Sequence, residues 1–189
     1  LLKTENSEQL TKTGCDIYIH IGVPEYSQDT QRLNIGIELL NKAIELDDTN
    51  VNAFFCKFNI ETAMQNWTEA LPCINKIIQI SAPNVDNFMY QGSVYEMLNK
   101  PDSSVMAFKN ALLLFDKERN SAGNDQILVS RAVIIAFIYG REEAIKELSS
   151  SEMMINDEYL KTARDQIFST FSKRAYIEKN IFIRPVRLN

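Results

Sequence analysis

Glycine and proline are scarce in this chain, with 6 and 5 of 189 residues respectively. Both disfavour helix interiors, glycine through its backbone entropy and proline through its ring and its missing N–H group. Their scarcity therefore favours a mostly helical protein with short connections. Charged residues make up 24% of the chain, close to the globular average, which excludes a wholly disordered chain. Apolar residues make up 45%, enough for a sizeable core.

Cysteine and histidine are too few to indicate a reactive site, with three and one in the chain. An odd cysteine count with no CxxC spacing predicts neither a disulfide framework nor a zinc site. We interpret Cys56 and Cys73 as buried apolar residues, a pattern that suits a reducing compartment. His20 lies near Cys15 in a segment predicted to be extended, where nearby side chains usually face apart. With no Gly-rich phosphate loop either, we predict no catalytic residue, no metal site and no cofactor.

Long apolar runs are also missing. No stretch approaches the roughly 18 apolar residues of a membrane-spanning helix, so no membrane span is predicted. The net charge of −5 argues against nucleic acid as a partner. We predict a cytoplasmic protein. The alternative is a periplasmic or lipid-anchored one, because Leu10–Gly14 before Cys15 partly resembles the end of a lipoprotein signal, although Lys12 stands where an apolar residue is wanted.

What the chain does contain is a repeated pattern. Three similar segments begin at Asn41 (NKAIEL), Asn75 (NKIIQI) and Lys109 (KNALLL), each 34 residues after the last. Small residues and large apolar residues recur in the same register, at Gly36, Ala70 and Ser104 and at Leu40, Ile74 and Phe108. A small residue once per repeat suits a site where two helices approach closely. In period and pattern the chain resembles the tetratricopeptide repeat (TPR) family.

The resemblance implies an all-α fold, an α-α superhelix of stacked helical hairpins. We expect extended, β-like arms at both ends of it. The predicted organisation is an N-terminal arm (1–26), the solenoid (27–172) and a basic C-terminal tail (173–189). Within the solenoid we predict a half repeat (27–50), two complete repeats (51–84 and 85–118), a divergent repeat (125–156) and a capping helix (157–172).

Two residues depart from the family pattern, and two terminal segments have a sequence pattern that is not typical of a helix. Phe58 stands where the family has a small residue, and Glu61 where it has an aromatic one. At the ends, Asp16–Val23 alternates β-branched and polar residues, which predicts a short strand or extended arm. Asn180–Asn189 is a second β-like segment, and the two could pair.

The resemblance also implies where a partner binds, because the first helix of each hairpin lines the concave face in this family. The corresponding groove residues are Asn52, Phe55, Asn59, Thr62, Asp86, Met89, Ser93 and Met97. We therefore predict a non-enzymatic interaction module that binds a peptide or helix of another protein. Two alternatives stay open: a chaperone or adaptor in secretion or envelope assembly, lipid-anchored at Cys15, and a self-associating structural protein that forms homo-oligomers.

Overall fold

A computed structural model describes residues 6–19, 30–118, 125–149 and 158–182. Over these ranges the chain is helical, without a strand, which confirms the predicted all-α class. The helices are α1 (Ser7–Ile19), α2 (Thr30–Leu46), α3 (Val51–Ala63), α4 (Trp67–Ile80), α5 (Val85–Met97), α6 (Pro101–Glu118), α7 (Asp125–Tyr139), α8 (Arg141–Ser149), α9 (Glu158–Phe168) and α10 (Lys173–Asn180).

The helices belong to two compact units. The N-terminal unit combines the described residues of Leu1–Ala82 with those of Glu178–Asn189, and the central unit comprises those of Pro83–Ile177. In the N-terminal unit α1 packs on α2 and α3, and α3 packs on α4. In the central unit α5 packs on α6, α7 on α8, and α9 on both α7 and α8.

The same turn closes the first helix in both complete repeats. Gln65 and Asn99, which are 34 residues apart, both adopt a left-handed conformation, with φ of 60° and 55°. The N–H group that follows each of them donates back five residues, from Asn66 to the Glu61 carbonyl oxygen (2.8 Å) and from Lys100 to that of Tyr95 (2.9 Å). Such 6→1 bonds satisfy carbonyl groups that a helix end otherwise leaves unpaired. The sequence period is thus also a period of backbone geometry.

Two glycines mark where paired helices approach most closely. A Cβ atom on Gly92 would lie 2.7 Å from the Phe108 ring, and one on Gly14 would lie 2.6 Å from Leu40 Cγ. The two pairs are structural equivalents, because Leu40 and Phe108 occupy the same repeat position. Gly14 precedes its partner by 26 residues and Gly92 by 16. Of these ten extra residues, seven lie in the connection between α1 and α2, which has ten residues against three between α5 and α6, and three lie at the start of α2.

This longer connection corrects the prediction for the N-terminal arm. Keeping a strict 34-residue register placed the first helix over Asp16–Val23, where the alternating pattern indicated a strand instead. The structure forms α1 ten residues earlier, and it buries Leu10 and Gly14 against α2. Asp16–Ile19 is therefore helical, and residues 20–29 lie outside the described residues.

The C-terminal segment also differs from its prediction where it is described. Lys173–Asn180 is helix α10, so the predicted strand over Asn180–Asn189 is wrong at its first residue, and residues 183–189 lie outside the described part. Phe182 is buried in the N-terminal unit, with its ring 5.2 Å from that of Trp67 and 6.2 Å from that of Phe58.

Aromatic side chains form a cluster within the core of the central unit. Phe137 stacks on Phe108 with ring centroids 4.5 Å apart, and it meets the edges of Phe171 and Tyr176 at 5.3 and 5.6 Å. On the surface of this unit, Arg131 in α7 forms ion pairs with Asp116 in α6 and Glu147 in α8. The arginine thus joins three consecutive helices.

Candidate protein-binding cleft

The first helices of two consecutive hairpins, α1 and α3, lie side by side in the N-terminal unit and form the walls of an open cleft of about 570 Å³. We call it the α1–α3 cleft. One wall comes from α1 and the other from α3 and its capping residue. The lining residues are Glu8, Gln9, Thr11, Lys12, Cys15, Asn50, Asn52, Phe55 and Cys56.

Asn50 sets the spacing of the two walls. As the N-cap of α3, its side-chain oxygen accepts a hydrogen bond from the Ala53 N–H group at 3.0 Å. Its side-chain nitrogen donates to Ser7 Oγ and Thr11 Oγ1 on α1, both at 3.0 Å. Ser7 Oγ in turn donates to the Ala43 carbonyl oxygen near the end of α2. One asparagine therefore starts α3 and holds it against the first turns of α1.

A disulfide bond crosses between the same two helices. Cys15 in α1 is bonded to Cys56 in α3, with Cα atoms 5.3 Å apart. The prediction that the cysteines form no disulfide is therefore wrong, as is the interpretation of Cys56 as a buried apolar residue. Spacing along the chain could not show the bond, because its partners lie 41 residues apart and meet only through helix packing.

The third cysteine behaves as predicted. Cys73 is a buried free thiol in α4, and burial raises its pKa to about 11. Only a trace of the reactive thiolate is present at neutral pH. Cys73 is therefore inert towards the Cys15–Cys56 bond.

The surface of the cleft mixes charged, polar and apolar groups. Glu8, Gln9 and Lys12 are exposed along α1, and Asn52 is exposed on α3. Phe55 is half-buried and lines the cleft together with the disulfide. Its ring adds an apolar surface to the polar side chains of the two walls. Such an arrangement can seat an apolar side chain while its flanks make hydrogen bonds and ionic contacts.

The predicted groove residues of the N-terminal unit divide into lining and core. Asn52 and Phe55 line the cleft, and Asn59 is half-buried two turns from Asn52 on α3. Thr62 is only 3% exposed, and its hydroxyl group donates to the Asn59 carbonyl oxygen. Its side chain is part of the core.

The predicted groove residues of the central unit all lie on α5. Asp86 is exposed and Met89 is half-buried, whereas Ser93 and Met97 are buried. Ser93 Oγ has no hydrogen-bond partner among the residues that the structure describes. Of these four residues, only Asp86 and Met89 are accessible to a partner protein, and their role in binding stays a prediction.

Sequence reasoning missed the α1 wall entirely. Glu8, Thr11, Lys12 and Cys15 fell in the predicted arm because the repeat register was held without a gap. A signal was present nonetheless. Leu10, Gly14 and Ile17 follow one another at spacings of four and three residues, which is typical of a helix face with a close-approach glycine.

Paired helices, a recurring left-handed turn and the lateral packing of first helices define an α-α helical solenoid of the TPR type. Solved structures agree. MamA is 20% identical over 87% of this chain and 81% of that one (TM-score 0.55), and a second MamA structure is 19% identical over 88% and 78% (TM-score 0.53). YrrB, titled a TPR protein with an unusual peptide-binding site, is 17% identical over 92% and 83% (TM-score 0.50). At these identities the likeness shows the fold alone.

No protein-family model matches the sequence, and no curated protein matches it either. Within the described ranges, no helix is both long and apolar enough to cross a membrane. Nor do those ranges bring three His, Cys, Asp or Glu side chains together as metal ligands.

Proposed function

We propose that this protein is a non-enzymatic interaction module and that the α1–α3 cleft binds a linear peptide segment of a partner protein. One observation carries the proposal: two first helices of the solenoid form the walls of a cleft lined by Asn52 and Phe55, which the resemblance to the TPR family independently implies to lie on the binding face.

The chemistry of the cleft suits a peptide. Its volume of about 570 Å³ falls in the range of roughly 300–1,000 Å³ that is usual for ligand pockets. Phe55 offers a contact for one apolar anchor side chain. Glu8, Lys12 and Asn52 supply ionic and hydrogen-bonding groups for the residues on either side of the anchor. An apolar centre with a polar rim is the usual anatomy of a specific protein interface.

The test begins with peptides selected on the immobilised wild-type protein from a phage-displayed library of random linear sequences. Their affinities are then measured by fluorescence polarisation for wild type and for Phe55→Asp. We expect at least about a tenfold loss, because the substitution replaces the anchor contact with a charge that binding would desolvate.

The matched control is Ile35→Asp, the same kind of change at a side chain that is 51% exposed on α2 and does not line the cleft. It should bind like wild type, and circular dichroism should show equal helicity in all three proteins. Equal affinity of the Phe55→Asp variant would exclude the cleft as the binding site. The chaperone or adaptor role and the self-associating role stay predictions.

A further inference from the structure

We propose that the Cys15–Cys56 disulfide is a redox latch on the α1–α3 cleft. When oxidised it fixes α1 as one wall of the cleft, and its reduction releases α1 and lowers the affinity for the peptide. The predicted loss of peptide affinity on reduction rests on the proposed function.

The latch is a covalent link between the two helices that form the walls of the cleft. Helix α1 has 13 residues, a length at which an isolated helix is marginal in water. Leu10, Gly14 and Ile17 pack α1 against α2, whereas the hydrogen bonds of Asn50 and the disulfide join α1 to α3.

The bond is placed where a reductant can reach it. Both cysteines are half-buried: they pack against the core of the N-terminal unit on one side and line the open cleft on the other. Thiol–disulfide exchange requires a thiolate to approach one of the sulfur atoms, and access is one of the factors that set its rate. A bound peptide would cover the same surface, so occupancy and reduction would compete.

The reaction needs only a dithiol as reductant. One thiolate of the dithiol attacks a sulfur of the Cys15–Cys56 bond to form a mixed disulfide, and its second thiol displaces the protein sulfur. Two electrons and two protons pass to the protein. Cys15 and Cys56 become thiols while the dithiol closes to a disulfide. Cys73 does not interfere, because it is buried and its thiol stays protonated. The reduced protein therefore has no second pairing to adopt.

Hydrogen exchange tests the latch itself on the full-length protein, with dithiothreitol as the reductant. Amide exchange in α1 should become at least about tenfold faster on reduction, while α4 keeps its rates. The Cys15→Ser, Cys56→Ser double variant should show fast exchange with and without dithiothreitol. Cys73→Ala, which leaves the bond intact, should respond like wild type. Unchanged protection of α1 on reduction would overturn the proposal.

Peptide affinity tests the consequence for binding, with a labelled peptide selected on the oxidised protein. Reduction should weaken binding at least about tenfold, and the double variant should bind weakly in both conditions. Equal affinity in the two redox states would overturn the regulation of the cleft. If no selected peptide depends on Phe55, the proposed function fails by itself, and the exchange rates of α1 still decide whether the latch exists.

Discussion

At the scale of single residues, Glu61 is an acid in an apolar position. It lies in α3 with 3% of its surface exposed, at a repeat position where the family pattern has an aromatic residue. One carboxylate oxygen accepts a hydrogen bond from the Asn66 side chain at 2.9 Å. Burial raises the pKa of Glu61, and the bond from Asn66 only partly offsets that effect. The ionised carboxylate therefore costs the folded state stability at neutral pH.

We expect Glu61→Gln to raise the Tm at neutral pH, because glutamine keeps an acceptor for Asn66 without a buried charge. The folded-state pKa lies above the unfolded one, so the cost of ionisation is fully present above the folded value. It disappears as the pH falls below the ordinary value of 4.5. Calorimetry at several pH values should show the gain shrinking to nothing in acid.

Glu38→Gln is the control for that series, since Glu38 is exposed on α2 and its substitution removes no buried charge. It should change the Tm little at any of these pH values. A Glu61→Gln variant that is less stable than wild type at neutral pH would show that the charge is stabilised by its surroundings.

Phe58 shows how far a family pattern predicts a single residue. The pattern marks it as a departure from the small residue expected there, but it does not indicate what accommodates the ring. In the structure Phe58 is fully buried, and the ring that meets its edge is Phe182, 124 positions later. A pattern of local repeats carries no information about so distant a contact.

At the scale of helices and turns, Asn50 and Asn84 occupy equivalent repeat positions but form different sets of hydrogen bonds. Both cap the first helix of a hairpin: Asn84 accepts from the Asp86 N–H group at 2.7 Å, and Asn50 from that of Ala53. Asn50 additionally donates to two hydroxyl groups of α1. Substitutions at the two positions therefore distinguish the stability contributed by a helix cap from that contributed by hydrogen bonds between helices.

We expect Asn84→Ala to cost about 1 kcal/mol, the usual contribution of an N-cap. Asn50→Ala should cost about 2–3 kcal/mol, because it also removes two interhelical hydrogen bonds. Native-state hydrogen exchange separates the effects by place. Asn84→Ala should raise exchange in α5, whereas Asn50→Ala should raise it in both α1 and α3. Unchanged exchange in α1 would mean that its hydrogen bonds to Asn50 contribute nothing.

Periodicity predicted the helices of 51–118 well, because each hairpin repeats the same local physics of a cap, two apolar faces and a left-handed turn. It failed at α1. Ten additional residues between Gly14 and Leu40 leave the pairing of the two intact in space, yet they remove that pair from the sequence register. The repeat register therefore did not predict that α1 forms one wall of the cleft, although it did predict Asn52 and Phe55 on α3.

At the scale of the whole molecule, the N-terminal unit takes residues from both ends of the chain. Phe182 is 7% exposed and contacts Phe58 and Trp67 within this unit. We expect Phe182→Ala to destabilise the unit by about 3–5 kcal/mol, the usual cost of truncating a buried phenylalanine.

Trp67 makes this prediction direct to measure, because it is the only tryptophan of the chain and touches the altered side chain. Its fluorescence should follow the urea unfolding of the N-terminal unit, with a lower midpoint in the variant. Leu46→Ala, at a leucine that is 62% exposed on α2, should leave the midpoint nearly unchanged. An unchanged midpoint in Phe182→Ala would show that the C-terminal segment does not support this unit.

The Cys15–Cys56 bond also has a mechanical consequence. It closes a covalent ring whose ends are 41 residues apart in the chain, and all of α2 lies within that ring. Tension applied to the two termini passes from Cys15 directly to Cys56 and bypasses α2. At about 3.4 Å per extended residue, roughly 140 Å of contour length stays hidden from a pulling force until the bond is reduced.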